Sequence, residues 1–550
     1  MTNITFSRKE FEKQIKITQE IEEKITQFGT PLEKIDKEKI EIEIFPNRPD
    51  LIPFEGFMRS FKKFIGKDPG LKRYKVNKPE KNYKIIVDKS VKEVRPFTVC
   101  AIVKNLKLTE DNIKDIINTQ EKLALTIGRN RKKMGIGIYP LDKINLPITY
   151  TAKDPKDIKY HPLGAQREMS ASEILMLHQT GIAYKHLLEN KTKYPIFIDD
   201  SKKILSMPPI INSENTGRID LNTKEVFIEC TGHDKTTLEK TINIIVTSLA
   251  DIGGKIYQMD IIDGKKSVTP DLTTQKMKIS LENTNKLLGL SLTEAEIGKL
   301  LLKMGHNYSN KTVEVAAWRT DILHEVDIIE DIAIAYGYNK FIPEIPNIAT
   351  AGEESKESII KRKIAEILIG LNMLELSTYH LIKQEEVEQH NTIEAIKLTE
   401  SKSEYKYLRP NLLVPMLRIL AENKDSEYPQ KVFEIGRVFV KNSQKETKIH
   451  ENDNLIIGLT PSNATECKQH LDYFFKMLNI PYSIKDFVHT MLIEGRTAAI
   501  IVNNKTIGYF GEVHPETLRK VGIKMPLSIA EISLEEIYNI IKPFGFFTTP

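Results

Sequence analysis

VAAWRTDILHEVDIIEDIAIAYGYN, residues 315–339, is the stretch that says most about how this chain folds. Four of its five acidic residues are Asp321, Asp327, Glu330 and Asp331. The last three fall at i, i+3 and i+4, so a helix would carry them on one face and turn the intervening apolar residues toward a core. Clustered carboxylates suit a hard cation, and the pattern therefore predicts a Mg²⁺ site. A solvated acidic face without metal is the alternative, because like-charge helical pairs cost only roughly 0.2–0.5 kcal/mol each.

Length and composition describe an ordinary multidomain protein. A chain of 550 residues is too long for a single core, which predicts several domains. With 40% hydrophobic and 28% charged residues, no stretch reaches the roughly 20 apolar residues that a membrane helix needs. The first residues carry charges throughout and lack the apolar segment of a secretory signal.

Cysteine usage and net charge further limit the kinds of protein that this chain could be. Cys100, Cys230 and Cys467 lie far apart and form no CxxC pair, which argues against a zinc site and a disulfide framework and predicts a cytoplasmic protein. The net charge is only +5, from 80 basic and 75 acidic residues. Any nucleic-acid contact must therefore come from local basic patches.

Local patterns divide the chain into four predicted domains: 1–82, 83–267, 268–346 and 350–550. Ser7 and Glu10 form a capping box that predicts a helix running to the glycine after Phe28. Strict alternation over residues 40–44 predicts a strand, and a second amphipathic helix should follow near residues 54–65. The first domain is therefore predicted as helix, strand and helix.

The other three domains mix both element types. The second should contain strands at 99–103 and 226–230 and helices at 111–125 and 238–249. In the third, Thr293 and Glu296 make a capping box that starts a helix. The fourth opens with an apolar helix at 359–371 and holds a strand at 498–502. The predicted class is α+β, multidomain.

Long strings along the chain resemble one known family. The opening stretch closely resembles the metal-binding domain of phenylalanyl-tRNA synthetase beta chains, and EIFPNRPDLIPFEGFMRSFKKFIG (43–66) resembles their first domain in the archaeal and eukaryotic form. RPFTVCAIVKNLKL (95–108), GRNRKKMGIGIYPLDKI (128–144) and MPPIINSENTGRIDLNTKEVFIECTG (207–232) resemble their editing domain. KVFEIGRVF (431–439) and IGYFGEVHPETL (507–518) resemble the C-terminal domain.

The resemblance implies a role in a larger enzyme. The C-terminal domain should be an antiparallel-sheet domain like that of class II synthetases but catalytically inactive, since the loop at Arg409 lacks the acidic partner of the class II Arg-x-Glu motif. A separate alpha chain would then carry out the ATP-dependent attachment of phenylalanine to tRNA, in a tetramer of two alpha and two beta chains. The alternative is a stand-alone RNA-binding or trans-editing factor that kept this fold.

The resemblance also implies an editing pocket that hydrolyses mischarged tyrosyl-tRNA. Its residues in this sequence are Ser206, Asn212, Glu229 and Thr231. Glu229 would recognise the tyrosyl hydroxyl or shape the pocket, and the other three would position the ester and a water molecule. Each also has a simpler interpretation: an ordinary turn residue, a surface hydroxyl or, for Glu229, a side chain facing solvent.

Basic residues near this pocket are predicted tRNA contacts. They are Arg129, Arg131, Lys132 and Arg218. Cationic side chains in a loop can neutralise backbone phosphates near the acceptor end. A run of this kind can equally be a solvated loop without a ligand.

Overall fold

Two units divide the chain, residues 1–345 and 346–550. The computed structural model describes residues 2–348, 350, 352–389, 394–399 and 401–541. Both units combine helices with antiparallel or mixed sheets, which confirms the mixed, multidomain architecture. In this described part, no helix is both long enough and apolar enough to cross a membrane.

The N-terminal segment forms a small sheet covered by helices. Its elements are β1 (Thr2–Ser7), α1 (Arg8–Gln14), α2 (Gln19–Gln27), β2 (Leu32–Ile35), β3 (Lys39–Ile44) and α3 (Phe54–Phe64), with strand order β1-β3-β2. The predicted strand at 40–44 lies in β3, but the single helix predicted from Ser7 to Phe28 is wrong. Ile15 is extended, and Thr18 starts α2 by accepting a hydrogen bond from the amide of Ile21 (3.3 Å). A side-chain cap inside an apolar stripe therefore divides the helix.

A large mixed sheet dominates the first unit. Its strands are β4 (Val76–Asn77), β5 (Lys84–Val87), β6 (Phe97–Lys104), β7 (Met134–Pro140), β8 (Ile148–Lys153), β11 (Tyr194–Ile198), β12 (Ile204–Met207), β13 (Ile211–Asn212), β14 (Val226–Gly232), β15 (Lys255–Asp263) and β16 (Lys265–Thr269). The order is β13-β12-β11-β8-β5-β15-β6-β14-β7, with β4 and β16 also on β15. A separate ribbon pairs β9 (Lys159–Tyr160) with β10 (Met169–Ser170).

Helices cover this sheet. They are α4 (Glu110–Leu125), α5 (Ala171–Leu177), α6 (Gln179–Tyr184), α7 (Glu214–Gly217) and α8 (Lys235–Asp251). Alternation along β14 sends Ile228 and Cys230 into the core beneath α8, while Phe227 and Glu229 turn to the opposite face. Cys230 is a buried free thiol, as are the other two cysteines.

The last part of the first unit contains the opening stretch. Its elements are β17 (Gln275–Lys278), α9 (Leu281–Leu288), α10 (Glu294–Lys303), β18 (Asn307–Ser309), β19 (Thr312–Val315) and α11 (Glu325–Tyr336). The capping box predicted at Thr293 and Glu296 starts α10. The helix predicted from acidic spacing is α11, and Ile328 and Ile332 are buried in its core face.

The second unit is built on a sheet of order β20-β24-β25-β29-β28-β27-β26. The strands of that sheet are β20 (Leu374–Glu375), β24 (Gln430–Lys441), β25 (Ile449–Thr460), β26 (Ser483–Asp486), β27 (Leu492–Val502), β28 (Lys505–Val513) and β29 (Ser528–Ser533). A separate small sheet of order β21-β23-β22 contains β21 (Leu381–Lys383), β22 (Ile396–Lys397) and β23 (Tyr405–Leu408). The helices of this unit are α12 (Lys356–Gly370), α13 (Gln384–Gln389), α14 (Leu413–Glu422), α15 (Ala464–Met477), α16 (Pro515–Val521) and α17 (Glu535–Ile541). The predicted helix at 359–371 and strand at 498–502 correspond to α12 and β27.

Candidate functional site

A cavity of about 480 Å³ lies among α4, β7, β13 and β14 in the first unit. Asn212 and Glu229 line it, and so do Arg131 and Arg218. Ser206 and Thr231 are buried nearby and are not part of the lining. The fold thus brings four predicted site residues, from three separate segments of the chain, to one cavity.

Glu229 is the most unusual group in this cavity. Its side chain is almost fully buried, and only one carboxyl oxygen has a partner: Oε1 lies 3.1 Å from the Tyr139 hydroxyl, while Oε2 has none. Burial raises the pKa of Glu229 to about 8, against the opposing effects of the Tyr139 hydrogen bond and the Arg95 charge. Glu229 is therefore mainly protonated at neutral pH. The interpretation that it faces solvent is wrong, because the sheet face it occupies is covered.

Tyr139 joins Glu229 to Asn212 and was missed in the sequence. Its hydroxyl lies 3.2 Å from Asn212 Oδ1 as well as 3.1 Å from Glu229 Oε1. Gly137 stands directly opposite Glu229 in the register of β7 and β14. A methyl group on Gly137 would lie 2.3 Å from the Tyr139 hydroxyl and 2.5 Å from Glu229 Oε1. The sequence feature that could have pointed to Tyr139 is GIGIY (135–139), in which two glycines and the tyrosine alternate with isoleucine. Such alternation leaves one face of the strand free of bulky side chains near the tyrosine.

Asn212 and Ser206 are cross-strand partners in β13 and β12. The Ser206 hydroxyl is buried and has no hydrogen-bond partner. Because Asn212 turns its Oδ1 toward Tyr139, its amide NH₂ is the group left to meet a ligand. Gly217 packs against Asn212, since a methyl group there would lie 2.8 Å from the Asn212 Cβ.

Thr231 holds a buried arginine that the sequence did not point to. Its Oγ1 accepts a hydrogen bond from Arg95 Nε (3.0 Å), and its carbonyl accepts one from Arg95 Nη2 (2.7 Å). Arg95 is itself buried, and burial lowers its pKa. The arrangement gives Thr231 a role in orienting a positive charge near Glu229. An isolated arginine before a strand carries no local signal of that role.

Two of the four predicted basic residues, Arg131 and Arg218, line the cavity, and the other two, Arg129 and Lys132, do not. Arg129 and Lys132 are exposed, and neither side chain has an ion pair within the described ranges. Arg131 is half-buried; its Nη1 donates to the carbonyls of Pro209 (3.1 Å) and Ile210 (2.8 Å). Arg218 is exposed at the cavity and pairs with a neighbouring glutamate. Arg131 therefore holds the wall of the cavity, whereas Arg129 and Lys132 are available to an anionic partner.

Asp321 and Asp331, two of the four predicted metal ligands, pair with the buried guanidinium of Arg319 instead. Arg319 donates from Nε to Asp321 Oδ1 (2.8 Å) and from Nη2 to Asp321 Oδ2 (2.7 Å). Arg319 Nη2 also lies 2.9 Å from Asp331 Oδ2, which His306 Nε2 contacts at 2.7 Å. Burial alone would raise the pKa of Asp331, but the charge of Arg319 and the His306 contact outweigh it and hold that pKa well below its usual range.

The other two acidic residues lie at the surface end of the cluster. Asp327 Oδ2 accepts hydrogen bonds from the amides of Leu323 (2.8 Å) and His324 (2.7 Å), where it caps α11. Glu330 is exposed and makes no hydrogen bond or ion pair with any described residue. Partial burial and the neighbouring carboxylates raise its pKa. Within the part of the chain that is described, no three His, Cys, Asp or Glu side chains are arranged to hold a metal ion. The cluster fits Mg²⁺ only in part.

Comparison with known proteins places the chain in a family. A profile described as tRNA synthetase B5 domain matches residues 277–338, and one described as phenylalanyl tRNA synthetase beta chain CLM domain matches residues 342–534. The phenylalanine–tRNA ligase beta subunit of Pyrococcus furiosus is 38% identical over 505 residues, 90% of each chain. That of Archaeoglobus fulgidus is 36% identical over 530 residues, 94% of this chain and 95% of its own.

A solved structure agrees with these relatives. The crystal structure of an N-terminal fragment of the phenylalanyl-tRNA synthetase beta subunit from Pyrococcus horikoshii has a TM-score of 0.58 and 38% identity, and it covers 61% of this chain and 99% of that fragment. Identities of this size across nearly the full length confirm the resemblance that the sequence strings carried. The chain belongs to the phenylalanyl-tRNA synthetase beta subunits and is thus part of an aminoacyl-tRNA ligase.

Proposed function

We propose that the cavity around Glu229 hydrolyses tyrosyl-tRNA that the synthetase has mischarged. The observation that carries this is a buried oxygen without a hydrogen-bond partner, Glu229 Oε2, on a residue that lines a cavity of about 480 Å³. Buried polar atoms are rarely left without hydrogen bonds, so such an oxygen favours a polar ligand. A synthetase for phenylalanine needs this activity, because an apolar pocket discriminates against one added hydroxyl by only about 100-fold.

The phenol of a tyrosyl ester matches the chemistry of Glu229. A protonated carboxyl and a phenol can each donate and accept a hydrogen bond. A phenylalanyl side chain would instead leave Glu229 Oε2 unsatisfied, at a cost of about 1–3 kcal/mol. This difference favours hydrolysis of the tyrosyl ester over that of the correct product.

At the other end of the substrate, the Asn212 amide donates to the ester carbonyl oxygen as negative charge develops there. Water is the nucleophile: its oxygen bonds to the ester carbon and gives up a proton to solvent, the bond from that carbon to the ribose oxygen breaks, and the ribose oxygen takes up a proton from solvent. No histidine or cysteine is found among the described residues that line the cavity, which disfavours a covalent intermediate.

Deacylation of tyrosyl-tRNA by the full-length chain tests this proposal. Glu229→Ala and Asn212→Ala should slow release of tyrosine at least tenfold and leave phenylalanyl-tRNA stable. Asn215→Ala is a matched control, since Asn215 is exposed three positions from Asn212 and does not line the cavity. Unchanged hydrolysis in both cavity variants would refute the proposal.

The second unit serves as a scaffold for an alpha chain that performs the adenylate chemistry. Arg409, the position nearest to a class II nucleotide-binding arginine, is buried. Its Nη1 donates to Glu434 Oε1 (2.7 Å) and Thr378 Oγ1 (2.7 Å), and its Nε to a backbone carbonyl. A buried guanidinium that is held by an ion pair and by hydrogen bonds inside the protein is not available to ATP. This supports an inactive, class II-like C-terminal domain.

Apolar side chains of the second unit favour a protein partner. Ile369, Leu374 and Val488 are 56%, 68% and 70% exposed. Burying such residues stabilises association. Co-expression with an alpha chain from an archaeal relative should give a complex of two alpha and two beta chains that attaches phenylalanine to tRNA. A chain that stays alone and still binds or deacylates tRNA would indicate the stand-alone factor.

Mg²⁺ at the acidic cluster remains a proposal for this complex. Glu330 and Asp327 offer hard oxygen ligands at the surface, and water or the partner chain would supply the rest. Elemental analysis of the purified complex tests this. Asp327→Ala with Glu330→Ala should remove bound divalent metal, whereas Glu282→Ala on the exposed face of α9 should not. Equal metal content in all three samples would exclude the site.

A further inference from the structure

One buried hydroxyl connects the two residues that the proposed hydrolysis depends on. Tyr139 Oη lies 3.1 Å from Glu229 Oε1 and 3.2 Å from Asn212 Oδ1. The three side chains come from β7, β14 and β13, and only Asn212 is more than slightly exposed. They form a short hydrogen-bonded chain across the cavity wall.

The number of protons available sets the direction in which these three side chains donate their hydrogen bonds. A phenol has one proton to donate, yet both neighbours of the Tyr139 oxygen are acceptors as long as Glu229 is ionised. Both contacts are hydrogen bonds only when Glu229 is protonated and donates to Tyr139, which then donates to Asn212. The pKa of Glu229, raised to about 8 by burial, is consistent with this order.

The tyrosine ring has little freedom to abandon this arrangement. It stacks on Phe227, with ring centroids 5.7 Å apart and planes 28° from parallel. Gly137 has no side chain, and this leaves room for the Tyr139 hydroxyl, since even a methyl group on Gly137 would collide with it. The position of the hydroxyl is therefore set by packing.

We infer that Tyr139 is a positioning residue for the hydrolysis of the tyrosyl ester. By accepting from Glu229 and donating to Asn212 Oδ1, it holds the amide so that its NH₂ faces the ester carbonyl. Without the hydroxyl, the Asn212 side chain can rotate and present its oxygen, which repels the developing negative charge. This inference rests on the hydrolytic function proposed above.

Tyr139→Phe keeps the ring and removes only the hydroxyl. We expect kcat for tyrosyl-tRNA hydrolysis to fall roughly 10-fold to 100-fold, with KM changed less, because the loss acts on the transition state. Tyr160→Phe is the matched control: the Tyr160 hydroxyl is also buried and donates to the Ile211 carbonyl (3.0 Å), next to Asn212, but does not line the cavity. That variant should stay within about twofold of the natural protein.

The dependence of kcat/KM on pH distinguishes a positioning role of Tyr139 from a general loss of stability in the variant. Recognition by protonated Glu229 predicts that kcat/KM falls above about pH 8 in the natural protein. When Glu229 is ionised, the Tyr139 proton turns to its carboxylate, and this charge-assisted hydrogen bond lowers the pKa of Glu229. Losing that bond should move the alkaline limb of the profile to higher pH. A merely destabilised protein would lose activity with the limb unmoved, and that result would overturn the inference.

A double-mutant cycle covers the case in which Tyr139→Phe folds poorly. If Tyr139 acts through Asn212, adding Tyr139→Phe to Asn212→Ala should slow hydrolysis by less than about twofold further. Fully multiplicative losses would overturn the inference while leaving the hydrolytic function intact. If the natural chain itself does not hydrolyse tyrosyl-tRNA, the proposed function fails first, and the two failures are distinct.

Discussion

The guanidinium of Arg319 lies 2.9 Å from the carboxylate of Asp331, and both groups are buried. Asp321 binds the same guanidinium through two hydrogen bonds. One internal cation is thus paired with two of the four carboxylates that the sequence predicts as metal ligands. The pKa of Arg319 is raised well above its usual range, because its carboxylate partners outweigh the cost of burial.

Removing this cation should strongly destabilise the first unit. Arg319→Ala removes the closest cation from Asp321 and from the buried Asp331, and only the more distant Arg48 charge and the His306 contact are left to offset them. We expect a loss of about 3–5 kcal/mol in the free energy of unfolding. Arg73→Ala breaks an exposed ion pair with Glu314 and should cost no more than about 1 kcal/mol. Chemical denaturation followed by circular dichroism measures both. Equal losses would contradict the buried role of Arg319.

Glu229 should make stability depend on pH. Its pKa is raised to about 8 in the folded chain, against 4.5 for an ordinary glutamate. Between these values the folded chain holds a proton that the unfolded chain has lost, so stability falls as pH rises, by at most about 1.4 kcal/mol per pH unit. Glu229→Gln removes this contribution. Its melting temperature relative to the natural protein should therefore rise from about pH 5 to about pH 8. Parallel curves would show that the carboxyl titrates normally.

Gly137 should be intolerant of even the smallest side chain. Gly137→Ala places a methyl group 2.3 Å from the Tyr139 hydroxyl, so the tyrosine or Glu229 must move. We expect a loss of about 1–3 kcal/mol in stability and a large fall in tyrosyl-tRNA hydrolysis. Gly370→Ala, where nothing lies within 4 Å of the added methyl, should change neither. Deacylation rates and melting temperatures of the two variants provide the comparison.

The two kinds of basic residue should respond differently to mutation. Arg129→Ala with Lys132→Ala should weaken tRNA binding and reduce the slope of log affinity against log salt concentration by about 1 per charge, with little change in melting temperature. Arg131→Ala should instead lower the melting temperature, because its guanidinium bonds two backbone carbonyls. Filter binding at several salt concentrations measures the slope. An unchanged slope in the double variant would remove Arg129 and Lys132 from the interface.

Helices that depend on residues close together in sequence could be predicted. The helix α11 follows from the spacing of Asp327, Glu330 and Asp331, and α10 follows from the capping box at Thr293. Both depend on contacts within about one helical turn. The single N-terminal helix was predicted wrongly because apolar periodicity does not show that Thr18 caps a second start.

The sequence by itself determined the family, the alternation that makes β14 a strand, and which residue types stand near one another along the chain. Only the tertiary structure decided that Glu229 is buried beside a cavity, that Tyr139 joins it to Asn212, and that Arg319 pairs with Asp331. Periodicity reports which residues share a face, since it arises from local backbone geometry. What covers that face comes from strands and helices distant in sequence, and that covering sets burial, hydrogen-bond partners and charge state.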